Sequence, residues 1–180
     1  MAGWKALLEF IETLKGIPET VVPSDHIGMK IPAGSSELPA LVVSLGEMEE
    51  SPIGIGGMVG MHRTPDEAWA ESRGKKVSGI LFAEIWAGDE NKVLEVAHAL
   101  FQNLESQAEI LRGKGFIRFV HREVKPIETV KVGEETAKRM VTGYSMVFEE
   151  VETETTGPGG IIRRIHVDID HELGEEMDIS

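Results

Sequence analysis

Four strand-length runs, with one amphipathic helix between the first and the second, constrain this chain more than any other feature. Val77–Ala87 is VSGILFAEIWA, Gly115–Lys125 is GFIRFVHREVK, Arg139–Val151 is RMVTGYSMVFEEV and Ile161–Asp170 is IIRRIHVDID. In the first run Leu81, Ala83 and Ile85 fall on one face of a strand, and Ile80, Phe82 and Trp86 on the other. That is the pattern of a central strand covered on both sides. Asp89 can cap the helix that follows, whose apolar stripe is Val93, Val96, Ala97, Leu100, Phe101 and Leu104. A chain so ordered is expected to form an α+β fold. It would be a mostly antiparallel or mixed sheet of about four to six strands packed against two main helices. The expectation is a single domain over residues 1–180, with a frayed acidic tail from about residue 171.

The remaining elements are shorter. Trp4, Leu7, Leu8, Ile11 and Leu14 recur at helical spacing, so a first helix is expected over Trp4–Lys15, ended by Gly16-Ile17-Pro18. His26–Ile31 and Ala40–Leu45 read as short strands, the second with Leu41, Val43 and Leu45 on one face. Thr64-Pro65-Asp66-Glu67 has the form of a capping box, which predicts a short helix to about Arg73, stopped at Gly74. Ala108–Leu111 adds a further helical turn, and the last hairpin is expected to turn at Thr156–Gly160.

Composition removes several classes of function. There is no cysteine, hence no disulfide, thiol nucleophile or thiolate metal site. No run of 18 or more apolar residues is present to span a membrane. The first residues, MAGWKALLEFIETLKG, carry Glu9 and Glu12 within their apolar pattern, which does not suit a secretory signal. The expected location is therefore the cytoplasm of the producing cell. Asn and Gln are few and Glu abundant, as in heat-tolerant proteins, although the eight Met point the other way. The net charge of −13 opposes tight binding of nucleic acid, which needs clustered cations. The charge is nonetheless segregated. Arg112, Lys114, Arg118, Arg122, Lys125, Lys131, Lys138 and Arg139 occupy one region; Glu47–Glu50, Glu149–Glu154 and Glu172–Asp178 are rich in acids. Such patches fit either a mixed solvated surface or complementary surfaces on neighbouring copies of the chain.

Candidate chemistry is sparse. His166, Asp168 and Asp170 share the polar face of the last strand and could hold a divalent ion, with a second imidazole from His26, His62, His98 or His121. Arg163 and Arg164 beside them favour plain neutralisation. Glu149, Glu150 and Glu152 lie at a strand end, where carboxylate pairs more often serve solubility than glycoside chemistry. His98 sits near the edge of the helical stripe and reads as a packing residue. Tyr144 alternates with Met140, Met146 and Phe148 and reads as core. There is no G-x-S-x-G elbow, no H-E-x-x-H, no phosphate loop and no clear dinucleotide fingerprint. No catalytic residue and no cofactor is expected. The Gly-rich segment Ile53–Met61 is different in kind. Its apolar residues Ile53, Ile55, Met58, Val59 and Met61 alternate with glycines, which disfavours a rigid core strand. An apolar loop of this sort is expected either to be buried against a neighbouring subunit or to fold back over its own sheet.

The order of elements also carries a resemblance. A helix with Val93, Leu100 and Leu104, a short break, Gly115-Phe-Ile-Arg118, then Val124-Lys-Pro126 and the late strand Gly143-Tyr-Ser-Met-Val-Phe148 resembles the tail terminator, or tail-completion, proteins of tailed phages and proviruses. The resemblance spans Val77–Asp170 and leaves Ser35–Lys75 unmatched. It implies an α+β subunit of a homo-oligomeric ring, commonly a hexamer, that caps the tail tube and joins it to the head connector. It brings no catalytic residues, and it places the protein in the virion. The alternatives are a small metal-binding enzyme or module using His166, Asp168 and Asp170, and a soluble adaptor for one protein partner.

Overall fold

A computed structural model describes residues 2–54, 58–63 and 69–156. Its elements are α1 (Ala2–Leu14), β1 (Ile27–Gly28), β2 (Ala40–Pro52), β3 (Met58–Arg63), β4 (Trp69–Ala87), α2 (Glu90–Ser106), α3 (Ala108–Gly113), β5 (Phe116–Val124), β6 (Glu128–Val132) and β7 (Glu135–Thr156). The strands form one mixed sheet of seven, in which only β1–β2 is parallel. The fold is α+β, as expected.

Two long strands make the spine. β4 and β7 pair antiparallel without a break from Trp69↔Thr156 to Ala87↔Lys138. On the outer side of β4 lie β2 and, beyond it along the same edge, β3. On the outer side of β7 lie β5 and β6 in the same manner. The edge strand β3 and the β6 hairpin arm raise the strand number above the expected range, each too short, or too rich in glycine or charge, to stand out in the sequence, whereas β1 falls within the short strand expected over His26–Ile31.

Helices cover one face. Leu41, Val43, Val77, Leu81, Ala83, Ile85, Met140, Tyr144, Met146 and Phe148 from the sheet meet α1 and α2 in one core. In α1 the buried residues are Ala6, Leu7, Phe10, Ile11 and Leu14, whereas Trp4 and Leu8 stay exposed. The helical stripe is thus turned by part of a residue step from the one expected. Phe10 decides it: its ring lies 5.2 Å from Phe119 and 5.8 Å from Tyr144, a cluster that Trp4 does not join. In α2 the expected stripe is buried except Phe101, which lies outside it and is exposed toward β5. Asp89 does cap this helix, its Oδ1 accepting from the Lys92 N–H at 2.9 Å.

The other sheet face is only partly covered, contrary to the expectation for β4. Ile80 and Phe82 are half-buried. Trp86 alone is enclosed there, with Ala40, Val42, Val132 and Ala137, where the β6–β7 hairpin folds over the end of the sheet. The Arg139 guanidinium lies 5.3 Å from the Trp86 ring centre and is held by Glu84 and Glu128. These carboxylates, Glu128 foremost, raise its already high pKa.

The helix expected from Thr64 to about Arg73 is not formed over its described part. Trp69–Arg73 is the start of β4, paired on both sides, while residues 64–68 lie outside the described residues. Two ladders of backbone hydrogen bonds outweigh a capping signal worth about 1 kcal/mol. Gly74 therefore does not end a helix. It sits buried in β4, where a Cβ would stand 2.6 Å from Val59 Cγ2 and 3.1 Å from Ile53 Cδ1. The expected last strand, Ile161–Asp170, and the Thr156–Gly160 turn beyond Thr156 lie outside the described residues.

Candidate subunit interface

Beyond Val77 the spine runs on as an arm of β3, β4 and β7. Between Ala70 and Lys76 only Ala70 and Gly74 are buried. The segment foreseen as an apolar loop enters here. Ile53 donates its N–H to Gly74 O at 3.0 Å, and Met58–Arg63 forms β3 against β4. Met58 to Arg63 is thus a bulged edge strand rather than a loop. The glycines that argued against a core strand are compatible with an edge, where one side of the strand lacks a partner.

Strand geometry also divides the candidate residues. Met58 pairs with Arg73 and Met61 with Glu71, positions on the helix-bearing side of the sheet. Val59 falls at a bulge and packs with Ile53 over Gly74 on the opposite side. Val151, paired with Gly74, lies on that side too. Met58, Val59, Met61 and Val151 are 44%, 47%, 42% and 49% exposed, and Ile53 is half-buried. Ile55 lies outside the described residues. The arm therefore exposes apolar side chains on both faces, Met58 and Met61 beside the charged Arg73 and Glu71 on one, Val59 and Val151 on the other.

Polar chemistry does not converge in this region. Glu149, Glu150 and Glu152 on β7 stand opposite Lys76, Lys75 and Arg73 on β4, and Glu150 also meets Lys5 Nζ at 3.1 Å. That is a cross-strand charge ladder, not a carboxylate pair. Among the described residues no three His, Asp or Glu side chains are placed to hold a metal ion. His26 is tied to Pro39 O at 3.1 Å through Nδ1, and His121 stacks edge-on against Phe101 and Tyr144. His98 is exposed rather than packed. His166, Asp168 and Asp170 lie outside the described residues.

A groove of about 440 Å³ runs between α2–α3 and β5, with Phe101, Leu104, Leu111, Phe116 and Tyr144 in its wall. Its charged residues Glu105, Arg112 and Arg118 are all exposed. Tyr144 is buried, and burial pushes its phenol up to about 12; its hydroxyl lies 3.3 Å from that of Thr142, which bonds Ala83 O at 3.2 Å. It is a core residue, as expected.

The basic region resolves into two groups. Arg112 pairs with Glu109, Lys114 with Glu9, Lys138 with Glu90, and Arg139 with Glu84 and Glu128. Arg118, Arg122 and Lys125, on or just past the edge strand β5, and Lys131 on β6 have no acidic partner among the described residues. No helix among the described residues is long and apolar enough to cross a membrane. No family model matches the chain, and no curated protein sequence matches it.

Proposed function

We propose that this protein is a structural subunit of a phage or provirus-like particle, a tail terminator or head–tail completion protein that assembles into a ring. The observation that carries the reading is the arm. It presents Met58, Met61, Val59 and Val151 to solvent on two faces of a strand edge, where only Ala70 and Gly74 are buried between Ala70 and Lys76. A monomer that exposes such an edge risks non-specific pairing, and burial in a defined assembly removes that risk. The element order from β4 to β7, and the lack of convergent polar groups among the described residues, support the same reading. An acidic chain is also suited to a ring around passing DNA, since like charge keeps the duplex from adhering.

In this reading the ring is a homo-oligomer, a hexamer in its simplest form. Its other partners are the tail tube and the head connector. Electron microscopy of the purified chain, alone and mixed with tail tubes, tests it. Closed rings in either sample are expected. Single particles of monomer size in both would overturn the reading.

A further inference from the structure

Among the described residues β2 and β5 lie open at opposite sides of the sheet, the first acidic and the second with a net positive charge. β2 is paired on its outer side only at Leu41 and Val42, by β1, so Val43–Pro52 has no outer partner among the described residues. That stretch holds Glu47, Glu49 and Glu50 and no cation. All three are exposed and lack an ion-pair partner among the described residues. At the far side β5 pairs, among the described residues, only with β7; it carries Arg118 and Arg122, which have no acidic partner among the described residues, and one acid, Glu123, beside exposed Ile117, Val120 and Val124.

We propose that neighbouring copies join head to tail, the β5 edge of one against the β2 edge of the next. This rests on the ring reading and names its contact. Three observations carry it. The order β2-β4-β7-β5 alternates in direction at every step, so β2 and β5 run opposite ways. A second copy in the same orientation then continues the antiparallel alternation across the join. Secondly, Glu47, Glu49, Arg118 and Arg122 all line one hollow of about 740 Å³ on the helix-free face. The acids form one rim and the cations the other, so edge-to-edge placement brings the two rows together on the same face. Thirdly, both edges carry bulges, at Leu45/Met48 on β2 and at Phe116/Arg118 and His121/Glu123 on β5. Bulges and charges discourage indiscriminate strand addition, and a partner with the opposite charge row overcomes the second barrier. The contact is heterologous, so it does not end at a dimer and closes into a ring where the rotation between copies allows.

Charge reversal tests it. R118E/R122E gives a chain acidic at both edges, and E47K/E49K one that is basic at both. All four residues are exposed, and circular dichroism checks that each variant keeps the native fold. Light scattering should find each variant at 19.7 kDa under conditions where the wild type assembles. An equimolar mixture should reassemble, because each variant then meets an opposite edge on both sides. The four substitutions combined in one chain should also reassemble. Variants that assemble as the wild type does would overturn the edge contact while leaving the ring reading intact. Variants that dissociate but are not rescued by mixing would likewise overturn the pairing of these two rows. A wild-type chain that stays monomeric even with tail tubes present would overturn the ring reading, and this contact with it.

Discussion

Replacing Met58 and Val59 together by Asp tests whether the arm is a subunit contact. Both side chains are a little under half exposed in the single chain. Full burial of a Val or Met side chain is worth about 1.5–3 kcal/mol, so covering the remaining half contributes roughly 1 kcal/mol each. Desolvating the introduced carboxylates costs at least about 1–3 kcal/mol more. Each contact should therefore weaken by about 3 kcal/mol or more, about 100-fold in its dissociation constant. The single chain should lose less. Asp is disfavoured in strands by up to about 1 kcal/mol per site, so the two together lower the melting temperature by up to about 4–8 °C for a chain of this size. Light scattering and a thermal melt on the same sample read both effects. Dissociation with a cooperative melt lowered by no more than that amount is the expected outcome. Because Met58 and Val59 face opposite sides of the arm, M58D and V59D made singly report which side is covered. A double variant that remains assembled, or that unfolds without first dissociating, would refute the reasoning.

Three further outcomes follow from the fold and the charge. Gly79→Ala should destabilise by about 1–3 kcal/mol, because its Cβ would clash with Met48 Sδ and lie 2.6 Å from the Glu47 carbonyl oxygen at the β2 bulge; an unchanged urea midpoint would contradict that register. The phenol of Tyr144 is raised to about 12 when folded and ionises near 10 when unfolded, so its contribution is complete below pH 10 and is lost as the pH rises to about 12. Tyr144→Phe should therefore lose less stability than the wild type across that interval, and identical pH profiles would show that the phenol is not held protonated. Duplex DNA should bind weakly at about 150 mM salt, since −13 opposes approach; tight binding that survives that salt would make the Arg112–Arg139 region a nucleic-acid surface.

The elements legible in the sequence were those whose pattern has one reading. β4 beyond Val77, α2 with its Asp89 cap, and the core face of β7 around Tyr144 announce themselves because burial and periodicity agree. Trp69–Arg73 misled because its capping box is a local signal, whereas the two ladders that hold it extended come from β3 and β7, the latter some 80 residues away. In α1 two stripes share Leu7, Ile11 and Leu14, and only the aromatic cluster at Phe119 and Tyr144 chooses between them. The second face of β4 looked buried because Ile80 and Phe82 are apolar, but sequence does not say on which side helices pack. Of the candidate interface, the residues were visible and their arrangement was not. A strand puts Met58 and Met61 on one side and Val59 on the other, and that follows only from the pairing of β3 with β4. The charge rows of β2 and β5 were visible as composition; that they border two free edges is a property of the sheet order.

The central claim is self-assembly, and its most direct test is the mass of the wild-type chain in solution by light scattering across a wide concentration range, with tail tubes added at the end. The expected mass is a discrete multiple of 19.7 kDa, seen as a closed ring by electron microscopy, either alone or on the tube. A mass of 19.7 kDa at every concentration, with bare tube ends throughout, would contradict it.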